Sequence, residues 1–221
     1  MITGHTLLLV VGALVGGYAV GCIPVAWLVV RRQRGVDLRR TGRGQADTLE
    51  ALVIGGARAA ALTVVLELVK GAVVGLGATA YDGSPWFAAT AIAGCVVGDA
   101  FPAGIRRGRR GIVPLVAGVV AALPSAWWAG VGVALPAVVL FGMRGRAFQQ
   151  LVVLCVPLGL LIGTRDPRVL GPAAIIVVAL LARHRLRALQ QRREMRRWAE
   201  LPEVGTPIAV GPPPGGRSRW R

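Results

Sequence analysis

The sequence predicts an all-α, polytopic integral membrane protein of about seven transmembrane helices, with the N-terminus outside and the C-terminus cytoplasmic. Three observations predict it. The chain of 221 residues is 54% hydrophobic and 16% charged, with a mean hydropathy of +0.61, whereas an ordinary soluble domain carries about 25% charged residues. Its apolar runs reach the ~20 residues that a helix needs to cross a bilayer. Its cations collect in short clusters between those runs, the arrangement by which the positive-inside rule sets topology.

The first apolar run covers residues 6–30. It has neither a basic leader nor a convincing cleavage site, so it reads as a retained span rather than a removed signal peptide. The polar segment 31–50 follows, and then a second run over residues 52–80, interrupted by Arg58, Glu67 and Lys70. Asp82-Gly83 and Ser84-Pro85 mark a turn before the third run, residues 86–105, and the basic loop RRGRRG at 106–111. Residues 112–143 are too many for one tilted helix. They divide into two short spans turning at 124–130, where Pro124, Trp127 and Trp128 suit a membrane interface. Arg144 and Arg146 mark the next loop, residues 147–163 form the sixth run and residues 169–182 the seventh.

Three parts result: a membrane helical domain, 1–182; a basic amphipathic cytoplasmic helix, 183–199; and a Pro/Gly-rich tail, 200–221, whose composition predicts disorder. The basic helix suits either anionic headgroups or topology fixing. Orientation follows from the arginines. Six lie in 31–50, four in 106–111, two at 144–146 and ten from Arg183 onward, all on one side of a seven-span chain, against Arg165 and Arg168 on the other. This pattern puts the basic side in the cytoplasm.

Composition excludes several functions. The net charge of +16 is not laid along one soluble face, and aromatics are only 5%, so no nucleic-acid partner is expected. Cys22, Cys95 and Cys155 sit inside apolar runs without metal spacing, and His5 and His184 lie at opposite ends; no metal and no cofactor are expected. Basic loops confined to one face, with no inverted repeat, argue against a small transporter.

Segment 31–50 is the chemically suggestive stretch. It is Arg-rich and flexible, and Gly42 and Gly44 flank Arg43. Glycine lets backbone N–H groups converge, and guanidinium forks pair with phosphate oxygens. The same loop also serves topology alone. Glu67 and Lys70 share one helix face inside an apolar run, as a local ion pair near the interface or as a functional pair. Lys70 is the only lysine. Asp99, a lone acid shortly before Pro102, reads either as a structural partner for an arginine of the 106–111 loop or as a functional acid.

These pieces, in order, resemble the bacterial acyl-phosphate:glycerol-3-phosphate acyltransferase family of the PlsY type. Gly21-Cys22-Ile23-Pro24 is similar to its G-S-I-P. Gly35-Val36-Asp37-Leu38-Arg39-Arg40-Thr41-Gly42-Arg43-Gly44-Gln45 is similar to G-x-D-I-R-x-x-G-S-G-N. Glu67-Leu68-Val69-Lys70-Gly71 resembles D-x-x-K-G, Gly98-Asp99-Ala100-Phe101-Pro102 resembles G-H-x-F-P, and Gly108-Arg109-Arg110-Gly111 resembles G-G-K-G. Arg183-His184-Arg185 matches an R-H-R exit from the last span. The resemblance implies an enzyme of phospholipid synthesis, embedded among the membrane lipids of the bacterial inner membrane, that transfers an acyl chain from acyl phosphate to glycerol 3-phosphate and gives lysophosphatidic acid without a covalent nucleophile. It implies Asp99 and Arg43 at the catalytic positions, and Arg39, Gly42, Gly44, Gln45, Lys70, Gly108, Arg109, Arg110 and Gly111 around the substrates.

The departures are specific. Arg43 stands where the family has serine, Gln45 where it has asparagine, Asp99 where it has histidine and Arg110 where it has lysine. Asp47-Thr48-Leu49-Glu50 replaces G-A-T-N. Two readings follow: a working acyltransferase with a rebuilt site, or a catalytically degenerate paralogue that binds phospholipid, acyl phosphate or a membrane partner. In the second, Arg43 opposite Asp99 fills the former active centre as a salt bridge.

Overall fold

The structure, a computed structural model, describes residues 4–41, 47–103, 112–128, 131, 155, 158–160 and 162–200. Every regular element among the described residues is helical. In order these are α1 (Gly4–Gly21), α2 (Val25–Arg34), α3 (Thr48–Glu50), α4 (Ala57–Asp82), α5 (Pro85–Ala100), α6 (Ile112–Ala122) and α7 (Leu170–Glu200). The chain falls into two compact units, Met1–Arg183 and His184–Arg221.

Among the described residues, three stretches are long and apolar enough to cross a membrane: Gly4–Arg34, Ala57–Asp82 and Pro167–Gln190. Their outer faces carry Leu7, Leu8 and Val15 on α1, Val65, Val69 and Val73 on α4, and Val178 on α7, all exposed. Each such side chain left in water forgoes about 2 kcal/mol of burial. Stripes of them on long helices belong against lipid.

Several boundaries differ from the sequence expectation, each for a local reason. The first run is not continuous. It breaks after Gly21, because Pro24 has no N–H to give and α2 restarts at Val25. Helix α4 begins at Ala57 rather than near Leu52, since residues 51–55 form a π-helical turn closed by Gly56 at φ +83°, a conformation that favours glycine. Helix α5 stops at Ala100, as expected for a chain approaching Pro102. Pro124 does not lie in the turn. The break is at Leu123, and residues 124–128 are helical again, which fits proline's preference for a helix start. Helix α7 carries the seventh run on into the basic stretch, a continuation the sequence also predicts; arginine and leucine are both good helix formers.

Helix α5 is the hub: 13 of its 16 residues are buried. Its contact with α1 is made at backbone level. A Cβ placed on Gly17 or Gly21 of α1 would strike the carbonyl oxygens of Ala91 or Cys95, and one on Gly94 or Gly98 of α5 would strike those of Leu14 or Tyr18. On each helix the two glycines are four residues apart, so both present one small-residue groove, the close-packing device of helices in lipid. Tyr18 adds a hydrogen bond, its hydroxyl donating to the Phe101 carbonyl at 3.0 Å. The α4–α6 contact is built the same way, with Gly71 against Pro114 and Gly75 against Gly118.

Candidate functional site

Helix α4 turns one face inward: Ala59, Ala60, Thr63, Glu67, Lys70, Gly71, Val74, Gly75 and Ala78 are buried, at helical spacing. Two ionisable residues therefore enter the interior together. From α5, Asp99 enters beside them because Gly98 presses that end of the helix onto α1. The Lys70 ammonium donates to Asp99 Oδ1 at 3.0 Å and forms an ion pair with Glu67 Oε2 at 2.8 Å. Glu67, Lys70 and Asp99 are 3%, 7% and 2% exposed. The local-pair reading of Glu67 and Lys70 is thus too small, because a third charge from another helix completes the cluster. A buried ammonium is held at little cost only when paired and hydrogen-bonded, and two carboxylates provide that. The hydrogen bond of the ammonium is to Asp99, and Glu67 Oε2 stands beside it as an ion partner.

A second cluster forms where α2 leaves the span. Gly35, at φ +69°, caps α2 and returns its N–H to Arg31 O. Leu38 is fully buried in a small core with Val25, Ala26, Val29, Val30, Ala51 and Ala59, so residues 35–41 are anchored, contrary to the flexibility expected of them. Asp37 Oδ1 accepts from Trp27 Nε1 at 2.8 Å and from the Arg39 N–H at 2.9 Å. The Arg39 guanidinium lies 4.1 Å from the Trp27 ring centroid, and that of Arg31 lies 4.8 Å from it.

The Asp37 carboxyl is held below the usual carboxylate range, chiefly by the Arg39 N–H. Desolvation pushes it up, while Trp27 Nε1–H and the charges of Arg39 and Arg40 push it down. A depressed carboxyl contributes order that is complete above its unfolded value, about 3.9, and is lost as pH falls through the folded value. The Trp27 indole N–H resonance is therefore expected to titrate below the ordinary aspartate range, and Asp37→Asn is expected to abolish that titration.

Among the sequence-predicted residues, the structure joins Lys70 to Asp99. It places the Arg39 guanidinium over the Trp27 ring. Gly42, Arg43, Gly44 and Gln45 lie outside the described residues, as do Gly108, Arg109, Arg110 and Gly111, so the expected Arg43–Asp99 opposition and the pairing of Asp99 with the 106–111 loop lie outside them too. Asp47, read as a departure from G-A-T-N, has a local reason: its side chain caps α3 by accepting the Glu50 N–H at 2.9 Å. Sequence reasoning missed Trp27 as the platform under Arg39, and the burial of Glu50 and Arg183. It also missed the paired glycines of α1 and α5, although their four-residue spacing was in plain view.

Long lipid-type helices closed around a buried Lys–Asp–Glu cluster, with a guanidinium-rich loop beside one span, define an all-helical membrane protein equipped to meet an anionic group. The family model for glycerol-3-phosphate acyltransferase matches residues 11–193, and the chain belongs to that family. A glycerol-3-phosphate acyltransferase of Rubrobacter xylanophilus is 32% identical over 120 residues, covering 51% of this chain and 60% of that protein. One from Brucella anthropi is 34% identical over 110 residues, covering 49% and 54%. The matched stretch thus spans about half the length of these relatives. The fold is similar to that of PlsY (YgiH), described as an integral membrane glycerol 3-phosphate acyltransferase. The TM-score is 0.64 to its glycerol 3-phosphate form, at 23% identity over 86% of this chain and 94% of that one. To its lysophosphatidic acid form it is 0.61 at 22% identity.

Proposed function

We propose that this chain transfers an acyl group from acyl phosphate to glycerol 3-phosphate, giving lysophosphatidic acid and inorganic phosphate. The observation that carries the reading is the meeting of Lys70 and Asp99 at 3.0 Å. They come from two separate family motifs on two helices, inside a chain that matches the family over residues 11–193. In this reaction the acceptor hydroxyl oxygen attacks the acyl carbonyl carbon, the carbon–oxygen bond to phosphate breaks, and the hydroxyl proton passes to a base. The donor is already activated, so alignment and charge stabilisation are what the protein must supply.

Asp99 takes the base or hydroxyl-orienting role. Lys70, held by Glu67 and Asp99, offers a donor to a phosphate oxygen, and Arg39, Arg109 and Arg110 supply further cations. Arg43, with the backbone amides of Gly42 and Gly44, steadies the developing oxyanion. Gln45 contributes a polar contact, while Gly108 and Gly111 let the loop close on phosphate. Seven spans, an outside N-terminus and a cytoplasmic basic side in the bacterial inner membrane complete the reading, with residues 183–199 as a basic helix and 200–221 as a tail.

Purified protein given acyl phosphate and radiolabelled glycerol 3-phosphate is expected to form labelled lysophosphatidic acid. No product from folded protein overturns the proposal. It would leave the degenerate paralogue, for which the paired replacements Arg43 and Asp99 are the motive.

A further inference from the structure

We propose that Trp27 is a positioning residue for this reaction, whose indole presets Arg39 as a phosphate-binding fork with Arg31 as a second cation on the same ring. The proposal rests on the reading that Arg39 binds a substrate phosphate, and it adds a residue that belongs to none of the motifs above.

An arginine at the end of an exposed loop ordinarily samples many rotamers. Arg39 is constrained three ways. Its backbone N–H is bound by Asp37 Oδ1. The same oxygen is bound by Trp27 Nε1 at 2.8 Å, which fixes the loop against the indole. Its guanidinium then lies 4.1 Å from the ring centroid. Trp27 is itself only half-buried but packs against the core that holds Leu38, so the platform is anchored.

The guanidinium carbon lies over the ring, Arg39 is exposed, and a guanidinium carries its five N–H donors in its own plane, the geometry that pairs bidentately with phosphate. Asp37 spends its bound oxygen on the indole and a backbone N–H, which orients the loop without capping those donors. Arg31 lies one helical turn after Trp27, at the spacing that brings side chains together, and its guanidinium is 4.8 Å from the ring centroid. Two cations ordered on one aromatic ring suit a phosphate monoester dianion. Both substrates of the proposed reaction carry a phosphate group, so the two substrates must be varied separately.

Steady-state kinetics of the full chain test this. Trp27→Leu is expected to raise KM for one of the two phosphate substrates about tenfold while kcat stays within about twofold. Trp27→Phe keeps a ring face without the N–H donor and should fall between. In an Arg39→Ala background, Trp27→Leu should add less than it does alone, because only Arg31 then depends on the ring. Unchanged KM values in Trp27→Leu overturn the proposal. So does an undiminished effect in the Arg39→Ala background, or a loss of kcat that tracks a lowered unfolding temperature in both Trp27 variants. Failure of the acyltransferase reading looks different. Wild-type protein that makes no product but binds glycerol 3-phosphate, with binding weakened about tenfold in Trp27→Leu, removes the catalytic reading and keeps this one. Absence of both product and binding removes both.

Discussion

Lys70→Met is expected to remove activity by at least ~100-fold, the scale seen when one preorganised charge donor is lost, and to destabilise the folded protein by about 3–5 kcal/mol. The reason is local. Glu67 Oε2 and Asp99 Oδ1 stand 2.8 and 3.0 Å from the Lys70 ammonium, and both acids are nearly sealed from solvent. Taking away the cation leaves two carboxylates facing the vacated position, and removing one member of a buried ionic set costs far more than removing the set. The triple variant Glu67→Gln, Lys70→Met, Asp99→Asn should therefore recover much of the stability while staying inactive. Thermal unfolding in detergent and lysophosphatidic acid formation read the two effects separately. An unchanged unfolding temperature in Lys70→Met would show that the ammonium does not neutralise this interior.

The second large effect is expected from a single methyl group. Gly98→Ala places a Cβ on the Tyr18 carbonyl oxygen, and Gly94→Ala places one on that of Leu14. Neither obstacle is a side chain that can turn aside, so α1 and α5 must separate. Overpacking of this kind costs about 1–3 kcal/mol, and here it also moves Asp99, the next residue, away from Lys70. We expect a lower unfolding temperature and at least a tenfold loss of activity, since a misplacement near 1 Å costs on the order of 100-fold. Gly12→Ala, Gly16→Ala and Gly77→Ala are the controls, because a Cβ at each meets open space. If the two sets of variants behave alike, the glycines do not set the α1–α5 distance.

Much of this architecture was legible because hydropathy is a long-wavelength signal. The membrane class, α4 and α5 all follow from apolar runs punctuated by Gly83 and Pro85. Interruptions within an apolar run were harder to read. Pro24 and Gly56 each end a helix without lowering the hydropathy around them, so residues 6–30 and 52–80 read as continuous. For the candidate site, the three-residue spacing of Glu67 and Lys70 announced a shared face. Their meeting with Asp99, 29 residues beyond Lys70, is a product of how α4 packs on α5, which no local spacing encodes. The family resemblance assigned both residues to one site but did not pair them. Trp27 went unnoticed because an aromatic near the end of a span is commonplace, and its value lies in what Asp37 and Arg39 do around it.

The burial of Lys70 has a consequence for reactivity. Acyl phosphates acylate amines, and the chain carries one lysine among its 26 Lys and Arg residues. That amine is shut between two acids, and the other 25 cations are guanidiniums, which stay protonated throughout the physiological range and are poor nucleophiles. A protein built this way offers a reactive acyl donor no exposed amine side chain to modify.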